Sequence, residues 1–91
     1  MSLRSYQVIG RRLSQPQTLL FRDAEGRHFL RADCGSRLIR LTARDAARLL
    51  RQYDYHLVLD RAWRTESDAL QLGCPWPPAG QAGEATNLDS P

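Results

Sequence analysis

The sequence predicts an α+β domain: a small antiparallel sheet of four to five strands, arranged as a β-meander, with one amphipathic helix packed on one face and a disordered C-terminal tail. Three observations predict it. Short runs rich in β-branched and aromatic residues succeed one another between residues 6 and 41, separated by turn-forming clusters. A segment with helical periodicity follows them. In the last stretch, residues 73–91, 7 of 19 residues are Pro or Gly and apolar periodicity is absent, so burial cannot offset the entropy of ordering it. Residues 1–72 are therefore expected to form a single domain and 73–91 a Pro/Gly-rich, acidic, flexible tail.

"YQVIGRRL" (6–13) and "TLLFR" (18–22) read as strands, with Pro16 confined to the loop between them because strand interiors exclude it. Asp23 and Gly26 take the first and fourth positions of a type I turn, Gly26 being free to adopt a positive φ. "RHFLRA" (27–32) is the third strand, "DCGS" a second turn, and "RLIRL" (37–41) the fourth strand. Thr42 and Asp45 then form a capping box, which starts a helix at Ala43. Along that helix Ala43, Ala46, Ala47, Leu49, Leu50 and Tyr53 share one face, and Arg44, Arg48 and Arg51 share the other. "YHLVL" (55–59) has the composition of a strand, although its closeness to the helix also permits a helical continuation. Thr65 and Asp68 offer a second capping box for a short helix through Leu72, which Gly73 would stop.

The net charge of +3 conceals a split. Residues 1–64 hold all 13 arginines against 6 acids, and residues 65–91 hold 4 acids and no base, so a +7 body carries a −4 end. Lysine is absent, which reads as a GC-rich coding bias as much as selection for guanidinium chemistry. The start "MSLRSYQVIGRRL" breaks its apolar residues with Arg and Gln, unlike a membrane span or a secretory signal. A cytoplasmic protein with no membrane association is the expectation. It follows that Cys34 and Cys74, lying in unrelated contexts, are expected to be two free thiols.

Arg40, Arg44, Arg48 and Arg51 form the sharpest candidate site, a stripe of guanidinium forks suited to phosphates or an acidic partner. Read without function, the same stripe is a solvated helix face, since like-charged neighbours cost only about 0.2–0.5 kcal/mol per pair. Arg11, Arg12, Arg22, Arg27, Arg31 and Arg37 would line an exposed sheet face near Tyr6, His28 and Phe29, unless the aromatics belong to the core. Trp76, set between prolines in "CPWPP", would present its indole to a groove on a partner; the plainer reading is a tail that happens to hold a tryptophan. Trp63 is expected at the edge of the core and His56 partly buried in its strand.

No catalytic motif, no phosphate-cradling loop and no metal-ligand spacing is present, and Cys34, Cys74, His28 and His56 include no CxxC or HxxxH pair. Neither an enzyme nor a cofactor is expected. An enzyme would need an exposed, low-pKa Cys34. The sequence points first to a small non-catalytic interaction or regulatory module. It would bind a protein partner, or a second copy of itself, through a sheet edge or the arginine-rich face. The alternative is sequence-nonspecific nucleic-acid binding through the arginine stripe.

Overall fold

A computed structural model describes residues 4–58 and 62–75. Its strands are β1 (Tyr6–Arg12), β2 (Leu19–Asp23), β3 (His28–Arg31), β4 (Leu38–Leu41) and β5 (Tyr55–Leu57). Helix α1 (Ala43–Gln52) lies between β4 and β5, and α2 (Glu66–Gln71) follows β5. The sheet is antiparallel throughout, in the order β4-β3-β2-β1-β5. The first four strands form the expected meander. Residues 55–57 form a strand, not a helical extension, and it adds to the free side of β1.

Local chemistry explains the turns. Gly26 takes a φ of +84° and donates to the Asp23 carbonyl at 3.1 Å, while the Asp23 carboxylate accepts from the Glu25 and Arg27 amides at 3.0 and 2.8 Å. Gly35, in the turn after β3, has a φ of +86°. Both helices start on a threonine whose hydroxyl accepts from the backbone three residues on, Thr42 from Asp45 at 3.0 Å and Thr65 from Asp68 at 3.1 Å.

Helix α1 carries the chain from the β4 edge to the β5 edge across one face and touches β3, β4 and β5. Ten residues of helix span about 15 Å, most of the roughly 19 Å between the outer strands of a five-stranded sheet. Gly10 permits the close approach: an added Cβ would lie 3.1 Å from a Leu50 methyl and 3.3 Å from the Tyr55 ring. Gly10 also follows a register shift between Val8 and Gly10 in the β1–β2 ladder, where a bulge re-aims the strand.

The larger buried cluster lies on the opposite face, under α2. Tyr6, Val8, Leu19, Phe21 and Phe29 pack there with Ala69, and Leu38, Val58 and Leu72 close its margin. Tyr6 meets Phe29 edge-on, ring centroids 5.3 Å apart. The expected apolar face of α1 is only partly used: Ala46 is buried, Leu49 and Leu50 are half-buried, and Ala43, Ala47 and Tyr53 are exposed.

Two of these expectations are corrected at once. Cys34 and Cys74 are joined in a disulfide, with Cα atoms 5.9 Å apart, instead of being free thiols. The pairing depends on α2 folding back beside the turn after β3, a proximity that a separation of 40 residues does not advertise. His56, expected to be partly buried, is exposed because β5 is an edge strand, and Trp63 is half-exposed. The described chain continues past Leu72 through Gly73, at a φ of +75°, to Cys74 and Pro75. The rest of the expected tail, with Trp76, lies outside the described residues. Among the described residues, no helix is long and apolar enough to cross a membrane.

Candidate interaction surface

Two exposed features carry chemistry, the arginine face of α1 and the edge formed by β4. Arg44, Arg48 and Arg51 are all exposed on α1, as the helical spacing requires. Arg48 lies 3.7 Å from the Asp45 carboxylate, with both side chains about half exposed, a pairing of small energetic weight. Arg40 does not join them. It pairs across the ladder with Phe29, whose ring lies in the cluster under α2, so strand alternation puts Arg40 on the face opposite α1. The stripe of four is thus a row of three on a helix and a fourth residue on the other side of the sheet.

Several of the arginines expected on an exposed sheet face are instead engaged within the fold. The Arg12 guanidinium donates to Asp54 at 2.9 Å and lies 5.0 Å from the centre of the Tyr53 ring. Ser14 donates its amide to the same carboxylate at 2.7 Å; hydrogen bonding from the Ser14 side chain, then from Arg12, and less from the Ser14 amide, holds the Asp54 pKa down at about 2. Arg27 donates to Asp23 at 2.7 Å and pairs with Glu25 at 3.0 Å. Burial opposes ionisation of Asp23, but the hydrogen bonds from Arg27 and Glu25 outweigh it and hold that carboxyl below its ordinary range.

Arg31 departs furthest from expectation, being fully buried. Its guanidinium donates to the carbonyls of Gln17 at 2.9 and 3.3 Å, Ala69 at 2.8 Å and Leu70 at 3.1 Å. It thereby ties the β1–β2 loop to the C-terminal end of α2, where unpaired carbonyls and the helix dipole favour a cation. Burial draws its pKa below the ordinary arginine value, and the nearby Asp33 charge offsets part of that pull. The sequence did hold a signal for this role, because Arg31 stands two residues after Phe29 and so on the same strand face.

Among the described residues β4 pairs on one side only, with β3. It contains neither proline nor glycine, and its Ile39 side is open, the residue being 52% exposed. Arg37 and Arg40 flank Ile39 and are both exposed. This edge therefore offers backbone donors and acceptors, an apolar side chain and two cations within four residues. The other edge, β5, is only three residues long. Between the sheet and the C-terminal end of α2 lies a pocket of about 240 Å³, walled by Val8, Leu19, Val58 and Leu72 with Arg11 and Gly73. No three of the described His, Cys, Asp and Glu residues are grouped so as to hold a metal ion. No protein-family model, curated protein or solved structure matches the chain.

Proposed function

We propose that this protein is a small non-catalytic interaction module that takes an extended, acidic segment of a partner protein along β4. The observation that supports it is the open β4 edge, with half-exposed Ile39 set between exposed Arg37 and Arg40. An added strand would complete the outward-facing backbone hydrogen bonds of β4, and acidic side chains would meet the two guanidinium groups. Hydrogen bonding to the backbone supplies affinity, and the arginines supply preference for charge. A four-residue edge carrying an arginine is too short and too charged to favour open-ended pairing with its own copies, so a separate partner fits better than self-assembly. With its disulfide closed the module belongs in an oxidising compartment; in the cytoplasm expected from the sequence it would work with the cysteines reduced.

The experiment is fluorescence anisotropy of a labelled valine-rich peptide with two glutamates three residues apart, one for each face of the sheet, titrated with the full chain. Binding that weakens at least tenfold in the Arg37→Glu, Arg40→Glu double variant, and persists in the Arg44→Ala, Arg48→Ala, Arg51→Ala variant, supports the reading. Absence of binding, or binding indifferent to Arg37 and Arg40, overturns it. A labelled DNA duplex run alongside separates the nucleic-acid reading. Binding with a log–log salt slope of about −2.7, lost in the triple variant, would make the α1 face a phosphate contact instead.

A further inference from the structure

Residues 65–74 form a strap across the apolar face of the sheet, and it is fastened at two ends by different chemistry. At the first end Arg64 and Tyr6 exchange backbone hydrogen bonds of 2.8 and 2.9 Å, which add the strap's root to β1. At the second end Cys74 is bonded to Cys34 in the exposed turn after β3. Between them α2 has six residues, too short to persist without support. Its support comes from Ala69, buried in the aromatic cluster, from Leu72 at the margin, and from the Arg31 guanidinium on the Ala69 and Leu70 carbonyls.

Arg31 and Cys34 belong to one segment, and Leu70 and Cys74 to another, so the guanidinium clamp and the disulfide join the same two pieces of chain. Only one of the two is redox-sensitive. The wall of the 240 Å³ pocket divides the same way: Leu72 and Gly73 belong to the strap, while Val8, Leu19 and Val58 do not.

We propose that Cys34–Cys74 is a redox latch that holds α2 over the apolar face of the sheet, and that its reduction releases the strap and exposes the apolar side chains beneath it. The reductant is a dithiol, of protein or small-molecule origin. One of its thiolates attacks a sulfur of the Cys34–Cys74 bond, the second resolves the mixed disulfide, and two electrons and two protons pass to the chain. Cys34 and Cys74 become thiols and the reductant becomes a disulfide. The exposure of Asp33 and Gly35, which flank Cys34, leaves the bond within reach of such a reagent. The released strap turns about the Tyr6–Arg64 pairing, and the strand ladders β1 to β4 stay intact because neither cysteine lies in a strand.

The test is hydrogen–deuterium exchange with mass spectrometry on the full chain, oxidised and treated with dithiothreitol, beside the Cys34→Ser, Cys74→Ser double variant. Thiols are counted under denaturing conditions before reduction, and a hydrophobic dye reports exposed apolar surface. The latch requires no free thiol at the outset. Reduction should then quicken exchange over residues 66–72 by about tenfold or more, leave β1, β2 and β3 unchanged, and raise dye fluorescence. The double variant should match the reduced chain and ignore dithiothreitol. Two free thiols before reduction overturn the proposal. Unchanged exchange over 66–72 overturns it too, since Arg31 and Ala69 would then hold the strap alone. So does an equal acceleration in the sheet, which would make the disulfide a brace for the whole domain.

Discussion

The two faces of the sheet are covered by helices of unequal length, and the shorter helix covers the better core. The ten-residue α1 has a strongly two-sided sequence, yet of its own residues only Ala46 is completely buried, and although Leu20 on the sheet face it covers is sealed, Ile39 beside it stays half exposed. The six-residue α2 seals Tyr6, Val8, Leu19, Phe21 and Phe29. What distinguishes α2 is its fastening, by the buried Arg31 guanidinium, the Cys34–Cys74 bond and the Tyr6–Arg64 pairing. Amphipathicity tells a helix which side to turn inward. How tightly that side is held depends on long-range bonds, which here fall almost wholly on α2.

The sharpest way to break this comparison is to truncate one residue from each face. Phe21, fully buried under α2, should cost about 3–5 kcal/mol as Phe21→Ala, a large part of the stability of a domain this size. Leu50→Ala, on half-buried α1, should cost about 1–2 kcal/mol. Urea midpoints with their m-values measure both, and equal losses would show that the two faces contribute alike. Next in size is Arg31→Met, which leaves the Ala69 and Leu70 carbonyls without their donor and should cost about 1–3 kcal/mol. The same midpoints read the total, and amide exchange should place the loss in α2 before the sheet.

Gly10→Ala probes the α1 side from the other direction. A Cβ at 3.1 Å from Leu50 and 3.3 Å from Tyr55 must displace the helix or the ring, at about 1 kcal/mol. Because α1 is loosely held, its tilt should absorb much of the strain, and thermal melting should move by a few degrees only, about 4–8 °C per kcal/mol for a small domain. A collapse of the fold would show that α1 is fixed as firmly as α2.

Acid should act beside α1 as well. The folded pKa of Asp54, about 2, lies below its ordinary 3.8, so the unfolded chain takes up the proton first. The stabilisation is present above about pH 4 and is lost as pH falls toward 2. Asp23, also shifted down, contributes in the same sense. Asp54→Asn should flatten part of this acid dependence, measured as denaturant midpoints between those limits, while leaving neutral-pH secondary structure intact.

The pattern of what the sequence disclosed follows the range of the interactions. Thr42, Thr65, Gly26 and Gly73 act within about four residues, so their chemistry could be read directly, and each cap or turn stands where it was expected. Arg31 and Arg22 look alike in sequence, both being strand arginines, yet one is buried and the other exposed. Their difference arises because α2 returns over the face that Arg31 shares with Phe29, a fact of topology. The disulfide and the separation of Arg40 from Arg44 are hidden for the same reason. One available signal was "TLLF", a run with no polar alternation, which marks a strand buried on both faces and thus implies a second covering element.

Arg48→Ala should have the smallest effect, and that is what makes it useful. Its guanidinium is about half exposed and 3.7 Å from an equally exposed Asp45, so the pair is screened and contributes at most about 0.5 kcal/mol. Arg44 and Arg51 stand three or four residues away with the same sign, so removing Arg48 also relieves repulsion of similar size. The two changes should nearly cancel, and the denaturant midpoint should be unmoved within error. A measurable loss of stability would mean that the outer face of α1 holds the fold together and is not available to a ligand. An unmoved midpoint clears the triple variant for the DNA titration, because any binding it loses then belongs to the surface and not to folding.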